Sequence, residues 1–449
     1  MADPTPPRRA RRSDDPTWFT GDVIVCLRDD YERRPGLARA GEALAVLTGF
    51  LRERGVPEPE PLIGSIPPEA IDELERVALD SRLQPLRSLN SYWRIDARSQ
   101  GAPEFVDALS RLPGVETAYR ERRTRDPSST PVPNPFGPRQ KYLDGQGVGI
   151  DARSMWALTR GEGVAVADIE RAWNLDHEEV SPKLPRLVYG TNLRDVLRDQ
   201  GDHGTAVLSI VAAADNQVGI VGVAPDVDEV VIASRFDCVR RSETQVAAAI
   251  AAATWELSPG DVLLVEVEIE PGLPMELQQA EFDAIRLASA AGRVVVEAAG
   301  NGKEDLDTHA VLDRTAREFR ESGAIMVGAA APFLPHNRFK SSFGSRIDCY
   351  AHGANVTAAG FGDLSPGARV DAHYTRIFGG TSAAAAIIAG AAILVQARHK
   401  AKNGTVLSPL DLRDILAQPS TGTRQGPKPG NIGVMPDLSR IVAAHPSLQ

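Results

Sequence analysis

Three residues between positions 168 and 382 could together carry out nucleophilic chemistry. Asp168 ends the apolar segment 164–167, His203 opens a segment with helical character, and Ser382 follows two glycines at the start of an alanine-rich segment. A hydroxyl becomes an effective nucleophile when a base takes its proton and an acid orients that base. Asp168, His203 and Ser382 supply the acid, the base and the nucleophile, in that order along the chain.

A fourth segment, Ala298-Ala299-Gly300-Asn301-Gly302, follows the apolar run 294–296. An Asn-Gly pair after a strand is commonly a turn, but the amide of Asn301 could also stabilise a developing oxyanion. Each of the four segments also has a structural explanation when taken alone: a strand-terminal acid, a histidine or a serine at a helix N-terminus, and a turn. Their combination, rather than any single segment, indicates acyl transfer.

The elements that would position these residues follow an alternating pattern from about residue 149 onwards. Apolar strands alternate with helical segments of 10–15 residues, which predicts a parallel sheet wrapped by helices, and the strands are apolar throughout because both sheet faces are covered. Asp168 would lie at the carboxyl edge of that sheet, where active sites of α/β proteins form. The predicted strands are 163–167, 230–233, 262–267, 294–298 and 324–327, and the predicted helices are 205–214, 243–256, 277–291, 381–397 and 409–417.

A smaller domain precedes this one. Residues 20–122 contain a β-α-β-α-β pattern, with strands predicted at 23–27, 91–95 and 115–119 and helices at 38–54 and 103–112. This order indicates a small α+β sheet of the split-βαβ type. Residues 1–19 have the composition of a disordered segment, and 123–148 are predicted to be a proline-rich linker. The second domain then covers 149–449.

Composition and charge exclude several classes of protein. The chain has 449 residues, 42% hydrophobic and 24% charged, and a net charge of −10, which argues against a nucleic-acid partner. Its three cysteines are far apart, without disulfide or zinc spacing. No phosphate-binding glycine motif follows a strand, which argues against a nucleotide-binding protein. No apolar run is long enough to span a membrane, and no signal peptide is recognisable, so a cytoplasmic location is the default. A different start codon that adds an export signal is the alternative.

Taken together, these segments resemble the subtilases, the subtilisin-like serine peptidases, over about residues 150–445. The matching stretches are 203–225 (HGTAVLSIVAAADNQVGIVGVAP), 298–301 (AAGN), 323–331, 341–353 and 379–390 (GGTSAAAAIIAG). The resemblance implies a triad of Asp168, His203 and Ser382, with the Asn301 amide and the Ser382 N–H as the oxyanion hole. It also implies that the domain at 20–122 is a propeptide that assists folding and inhibits the enzyme.

One departure from the family pattern concerns the triad acid. The family usually has Ser or Thr and then Gly after the acid, whereas here Asp168 is followed by Ile169 and Glu170. We retain Asp168 as the predicted acid because its strand and its spacing to His203 agree with the family. Asp176 and Asp202 are the alternatives.

The resemblance also predicts a substrate cleft and a calcium loop. An extended substrate would lie between two segments, of which the first contains two acidic residues that are unusual there. We interpret those residues as a preference for basic side chains near the scissile bond, with solvated or paired carboxylates as the alternative. The predicted calcium loop is 214–220, with side-chain oxygens from Asn216 and Glu179 and an ordinary turn as the alternative; no other cofactor is expected. The predicted substrate-binding residues are Glu266, Val267, Glu268, Ala298, Ala299 and Gly300.

The function that the sequence predicts is therefore a serine endopeptidase acting on protein or peptide substrates, with its own first domain as an intramolecular inhibitor. No nucleic-acid or membrane partner is expected. The alternative is a latent or non-catalytic subtilase-like binding or regulatory protein that keeps its first domain.

Overall fold

The computed structural model of the chain describes residues 19–28, 41–64, 66–78, 88–97, 102–122, 134–197, 201–238 and 245–449. Its contacts divide the chain into two compact units, residues 1–129 and 130–449. The segment predicted to be disordered lies almost wholly outside the described residues, as does the predicted linker up to residue 133. The rest of that linker belongs to the second unit, where Tyr142 and Leu143 are buried and the Gln140 side chain donates to the Val221 carbonyl at 2.7 Å.

The first unit contains a four-stranded antiparallel sheet in the order β2-β3-β1-β4, with three helices along the chain between its strands. Alternate residues of β1, among them Val23 and Val25, face a core that also contains Leu47 of α1 and Leu109 of α3. The predicted strands and helices are present, and the structure adds α2 and the short β2. The elements are β1 (Phe19–Leu27), α1 (Gly41–Glu53), β2 (Glu60–Pro61), α2 (Pro68–Ala78), β3 (Tyr92–Asp96), α3 (Ala102–Ser110) and β4 (Val115–Arg122).

The second unit is built on a nine-stranded sheet in the order β16-β17-β13-β12-β11-β8-β5-β7-β6, in which only the β16–β17 pair is antiparallel. The prediction of an α/β fold with a mostly parallel, helix-wrapped sheet is confirmed. Its strands are β5 (Ala165–Glu170), β6 (Arg186–Tyr189), β7 (Glu229–Ser234), β8 (Val262–Val265), β9 (Glu268–Ile269), β10 (Leu273–Pro274), β11 (Val294–Ala298), β12 (Ile325–Ala330), β13 (Cys349–His352), β14 (Val356–Ala359), β15 (Tyr374–Phe378), β16 (Gly422–Arg424) and β17 (Val434–Pro436). Its helices are α4 (Ala152–Met155), α5 (Asp202–Ala212), α6 (Val246–Glu256), α7 (Gln279–Ala290), α8 (Gly380–Asn403), α9 (Pro409–Leu416) and α10 (Leu438–Ala444).

Two hydrophobic cores lie on opposite faces of this sheet because successive strand residues point to opposite sides. Val166 of β5 belongs to the core that contains α5 and α8, whereas Ala167 belongs to the core that contains α6 and α7. Small alanine side chains let α8 approach the strands closely, and its first eighteen residues are all buried. By length and mean hydropathy, 1.7, α8 would be long and apolar enough to cross a membrane, but that apolar stretch is wholly buried inside the unit.

Candidate active site

Strand ends and helix N-termini bring the predicted catalytic residues to the carboxyl edge of the large sheet. Asp168 and Glu170 lie two residues apart near the end of β5 and therefore face the same side. His203 is the second residue of α5, and Ser382 is the third residue of α8. The edge at which β5 ends is the position where α/β proteins place their ligands.

The carboxylate in contact with His203 is that of Glu170. His203 Nδ1 lies 3.1 Å from Glu170 Oε1, and the Glu170 side chain is buried, with its second oxygen accepting the N–H of Arg171 at 3.1 Å. The histidine ring also packs against Phe378 in an edge-to-face arrangement, with ring centroids 5.4 Å apart. A buried carboxylate on one ring nitrogen fixes the tautomer and orientation of an imidazole, and here Glu170 occupies that place.

Asp168, the predicted triad acid, makes a different contact. Its Oδ2 accepts a hydrogen bond from Nε1 of the buried Trp173 at 2.7 Å, and its Oδ1 is buried without a hydrogen-bond partner. The structure therefore places Asp168 beside the site but assigns the direct contact with His203 to Glu170. The predicted alternative Asp176 is exposed, and Asp202 precedes His203 in α5.

The charges of these groups are set by burial and by one another. Burial raises the pKa of Asp168 to about 8, and the negative charge of Glu170 adds to the effect. Burial acts in the same direction on Glu170, but the adjacent His203 outweighs it and lowers the pKa of Glu170. Burial alone would lower the pKa of His203, but Glu170 and Asp168 outweigh burial and raise it. The opposite charges of Glu170 and His203 thus each favour the ionised form of the other, whereas burial favours the protonated form of Asp168.

A glycine next to His203 allows α5 to pack against Trp173. A Cβ atom on Gly204 would lie 2.4 Å from the Ala172 carbonyl oxygen and 2.8 Å from the Trp173 ring. The first turn of α5 is further held by Thr205, whose hydroxyl accepts the N–H of Asn174 at 2.7 Å and donates to the Gly201 carbonyl at 2.5 Å. His203 is therefore carried on a helix end whose position is fixed by close packing.

Ser382 is 5% exposed and lies beside a buried carboxyl group, that of Glu266. Glu266 directly follows β8, the neighbour of β5 in the sheet. Burial raises the pKa of Glu266 well above its usual value, and the charges of Asp168 and Glu170 add to this, whereas the Ser382 hydroxyl acts in the opposite direction. A carboxyl group whose protonated form is favoured by burial thus adjoins the candidate nucleophile.

The Asn301 side chain is held at both ends. Its Oδ1 accepts the backbone N–H of Thr381 at 2.9 Å, and its Nδ2 donates to Glu268 Oε2 at 2.9 Å. Gly380 makes this approach possible, because a Cβ atom there would lie 2.6 Å from Asn301 Oδ1. The Asn301 amide therefore lies against the residue that precedes the candidate nucleophile.

The predicted substrate-binding residues lie just after β8 and at the end of β11, two strands that are adjacent in the sheet. Glu266 and Val267 are buried, whereas Glu268 opens β9 and is exposed. Ala298, Ala299 and Gly300 are buried at the end of β11, and the Gly300 carbonyl accepts the N–H of Ser342 at 2.9 Å. Of the two acidic residues, only Glu268 presents its carboxylate at the surface.

The predicted calcium ligands face protein donors in this structure. Glu179 Oε1 accepts the Tyr374 hydroxyl at 2.9 Å and the Ile220 N–H at 2.8 Å, and Asn216 Oδ1 accepts the Val218 N–H at 2.9 Å. Glu179 Oε2 is the buried side-chain oxygen that lacks a hydrogen-bond partner there. Within the described ranges no group of three or more His, Cys, Asp or Glu side chains could hold a metal ion. Calcium takes six to eight oxygens, backbone carbonyls included, and the two side-chain oxygens that would contribute, Glu179 Oε1 and Asn216 Oδ1, are engaged by protein donors instead.

Two residues of the site were not assigned to catalysis from the sequence, Glu170 and the nucleophile's neighbour Glu266. The signal for Glu170 was present, because alternation along a strand places residue 170 on the same face as Asp168. For Glu266, an acidic residue after an apolar strand is unusual, but the spacing of residues in the sequence does not show that this side chain is buried beside Ser382. Trp173, the partner of Asp168, gave no signal of its role.

Comparisons with known proteins agree with this architecture. Residues 161–431 match the sequence model of the subtilase family, Peptidase_S8. An intracellular serine protease of Paenibacillus polymyxa is 36% identical over 90 residues, 18% of this chain and 27% of that protein. A calcium-dependent protease of Trichormus variabilis is 25% identical over 368 residues, 73% of this chain and 53% of that protein. The chain thus spans about half, or less, of the length of these two relatives.

Solved structures show the same fold at low sequence identity. A protease from Pseudoalteromonas arctica has a TM-score of 0.51 at 22% identity, covering 70% of this chain and 99% of that one. Fervidolysin from Fervidobacterium pennivorans, described as a keratinolytic enzyme related to subtilisin, has a TM-score of 0.50 at 16% identity, covering 96% of this chain and 62% of that one. The predicted family resemblance is confirmed: with more than half of its length matched by the family's sequence model, the chain belongs to the subtilase family.

Proposed function

We propose that this chain is a serine endopeptidase in which Ser382 is the nucleophile, His203 the general base and Glu170 the residue that orients His203. The observation that carries this proposal is the 3.1 Å contact between His203 Nδ1 and the buried Glu170 carboxylate. Membership of the subtilase family supports the same reaction class. Asp168 remains the acid predicted from the sequence, and the two assignments differ in what their substitutions would do.

In the proposed reaction, Ser382 Oγ attacks the carbonyl carbon of the scissile peptide bond while His203 takes the hydroxyl proton. The resulting oxyanion accepts hydrogen bonds from the Asn301 amide and the Ser382 N–H. The imidazolium gives its proton to the departing amine, which leaves an acyl-enzyme on Ser382. Water, deprotonated by His203, then releases the acid product. Glu170 stabilises the imidazolium and is itself not protonated.

For the substrate, we propose a preference for basic side chains near the scissile bond. The exposed carboxylate of Glu268 supports this preference, whereas Glu266, which is buried and has a raised pKa, does not. For the first unit, we propose that it assists folding and inhibits the second, because the family resemblance implies this role. A peptide library without enrichment of Arg or Lys at any position would contradict the proposed specificity.

The proposed activity is tested with the full chain, a fluorophosphonate probe and unfolded casein. We expect the wild-type chain to be labelled and to cleave casein, and Ser382→Ala to do neither. Ser154→Ala, which removes an exposed serine outside the site, is the matched control and should behave as wild type. A wild-type chain that neither labels nor cleaves would instead support the latent, non-catalytic alternative.

A further inference from the structure

A two-stranded hairpin follows β8 and lies against the loop that carries Asn301. It consists of β9 and β10, in which Glu268 pairs with Pro274 and Ile269 with Leu273. The residues immediately before it, Glu266 and Val267, are buried, so the base of the hairpin is anchored in the core. The exposed Glu268 is the first residue of the hairpin.

The hairpin and the Asn301 loop approach so closely that only glycine fits at their contact. A Cβ atom on Gly300, whose φ is +88°, would lie 2.1 Å from the Gly272 carbonyl oxygen, and one on Gly272, with φ +113°, would lie 2.3 Å from the Gly302 nitrogen. The Gly272 carbonyl accepts the Gly302 N–H at 3.1 Å and the Ser342 hydroxyl at 3.0 Å. The two backbones are therefore held in one register.

This alignment of the two backbones brings the Glu268 carboxylate into contact with Asn301. A single carboxylate oxygen, Oε2, accepts the Asn301 backbone N–H at 2.7 Å and the side-chain Nδ2 at 2.9 Å. On the other side of the amide, Oδ1 accepts the Thr381 N–H at 2.9 Å. An amide nitrogen carries two hydrogens, so one hydrogen of Nδ2 is engaged by Glu268 and the other stays free for a substrate oxyanion.

We propose that Glu268 is a positioning residue that selects the productive orientation of the Asn301 amide, an inference that rests on the proposed oxyanion role of Asn301. If the amide flipped, Oδ1 would face the Glu268 carboxylate and Nδ2 would face the Thr381 N–H. Two acceptors would then oppose each other at one end and two donors at the other, which leaves both ends without hydrogen bonds. Glu268 and Thr381 together allow one orientation only.

The test measures kcat and KM separately on a peptide substrate without charged side chains, so that any recognition of basic residues by Glu268 does not contribute. We expect Glu268→Ala to lower kcat about 10-fold, less than the 10²–10³ for loss of an oxyanion donor, with KM changed less than about twofold. Glu268→Gln retains an accepting oxygen and should keep most of the activity. Glu268→Asp keeps the charge but is too short for the contact, so it should resemble Glu268→Ala.

The control is Glu304→Ala, which removes another exposed carboxylate close to the same loop and should leave kcat unchanged. A double-mutant cycle with Asn301→Ala identifies the route of the effect. If Glu268 acts through Asn301, then adding Glu268→Ala to Asn301→Ala lowers kcat no further.

Several results would overturn the proposal. A rise in kcat for Glu268→Ala would mean that the carboxylate obstructs the amide, and an equal loss in the Asn301→Ala background would mean a general structural effect. Equal activity of all Glu268 variants would mean no role at all. Wild-type kcat in Asn301→Ala alone would instead overturn the proposed oxyanion role, whatever Glu268→Ala does. Should Glu268→Ala not fold, Glu268→Asp against Glu268→Gln makes the same comparison.

Discussion

At the scale of single residues, three carboxyl groups surround one histidine and one serine. Asp168, Glu170 and Glu266 lie near one another at the ends of β5 and β8, and only Glu170 has its pKa lowered. The adjacent His203 favours the ionised form of Glu170, whereas burial raises the pKa of the other two carboxyl groups. The site therefore places the Glu170 carboxylate against the ring nitrogen of His203. The raised pKa of Glu266 limits negative charge beside Ser382, where an oxyanion would form.

The dependence of activity on pH should distinguish Glu170 from Asp168. His203 acts as a base only when it is neutral, and its raised pKa places the acidic limb of kcat/KM above the usual histidine value of about 6.5. Glu170→Gln removes the main cause of that rise, so the acidic limb should move to lower pH while kcat falls about 10⁴-fold, as when a triad acid becomes an amide. The measurement is a set of kcat/KM profiles over pH.

Asp168→Asn is the matched comparison in these profiles. Asp168 carries a proton at pH 7 because its pKa is about 8, so the amide resembles the protonated acid and should change kcat at pH 7 less than about 10-fold. A loss near 10⁴-fold in Asp168→Asn with little loss in Glu170→Gln would return the role to Asp168, as the sequence predicted.

At the scale of elements, the sequence was most informative where a repeating pattern decided the structure. The strand predicted at 294–298 matches β11, and the helix predicted at 381–397 lies within α8, because a buried strand and a long alanine-rich helix leave continuous apolar signals. The two-residue strands β9 and β10 gave no such signal. Their register depends on glycine contacts with the Asn301 loop, which lies about thirty residues further along the chain.

The candidate site was likewise predictable from the sequence only where a local pattern marks its residues. Local motifs mark His203, Ser382 and Asn301 as candidates, and the structure brings their elements to one sheet edge. The carboxylate that contacts His203 could not be predicted from the sequence, because the Trp173 hydrogen bond to Asp168 and the contact of Glu170 with His203 depend on side-chain packing. The calcium loop was predicted from its length alone. Tyr374, whose hydroxyl reaches Glu179, comes from β15, far away in the sequence.

The stability of the 214–220 loop should therefore depend on Tyr374 rather than on calcium. Its hydroxyl lies 2.7 Å from Glu178 Oε1 and 2.9 Å from Glu179 Oε1. Tyr374→Phe removes these bonds from a buried place and should lower the free energy of unfolding by about 2 kcal/mol. Thermal denaturation with added Ca²⁺ and with a chelator should give the same midpoint. Tyr119→Phe, at an exposed tyrosine, is the control.

The pH dependence of this loss has a defined direction. Burial raises the pKa of Glu179 to about 8 in the folded chain, so between about pH 4.3, the unfolded value, and pH 8 the folded state holds a proton that the unfolded state releases. This contribution to stability falls as the pH rises through that window. Tyr374→Phe removes a hydrogen bond that lowers this pKa, so the window should extend to higher pH and the total loss of stability across it should grow. A midpoint raised by Ca²⁺ would contradict the proposed dependence on Tyr374.

At the scale of the whole molecule, the chain joins two compact units by a proline-rich segment. The first has its own hydrophobic core and its own antiparallel sheet, and the second contains every residue of the candidate active site. A propeptide that folds by itself could be removed by proteolysis between the units without unfolding the peptidase. The alternative is a protein that keeps both units as one regulatory chain.

Intact mass before and after incubation separates these two outcomes. If Ser382 processes its own chain, the wild type should lose an N-terminal fragment that ends between about residues 120 and 145, because the predicted cut region is the proline-rich segment, whereas Ser382→Ala stays whole. Mixing a trace of wild type with Ser382→Ala shows whether cleavage can occur between molecules. A wild type that stays whole but reacts with a fluorophosphonate would be an active peptidase that retains its first unit, which contradicts the propeptide role. Loss of the same fragment from Ser382→Ala alone would mean that a contaminating protease makes the cut.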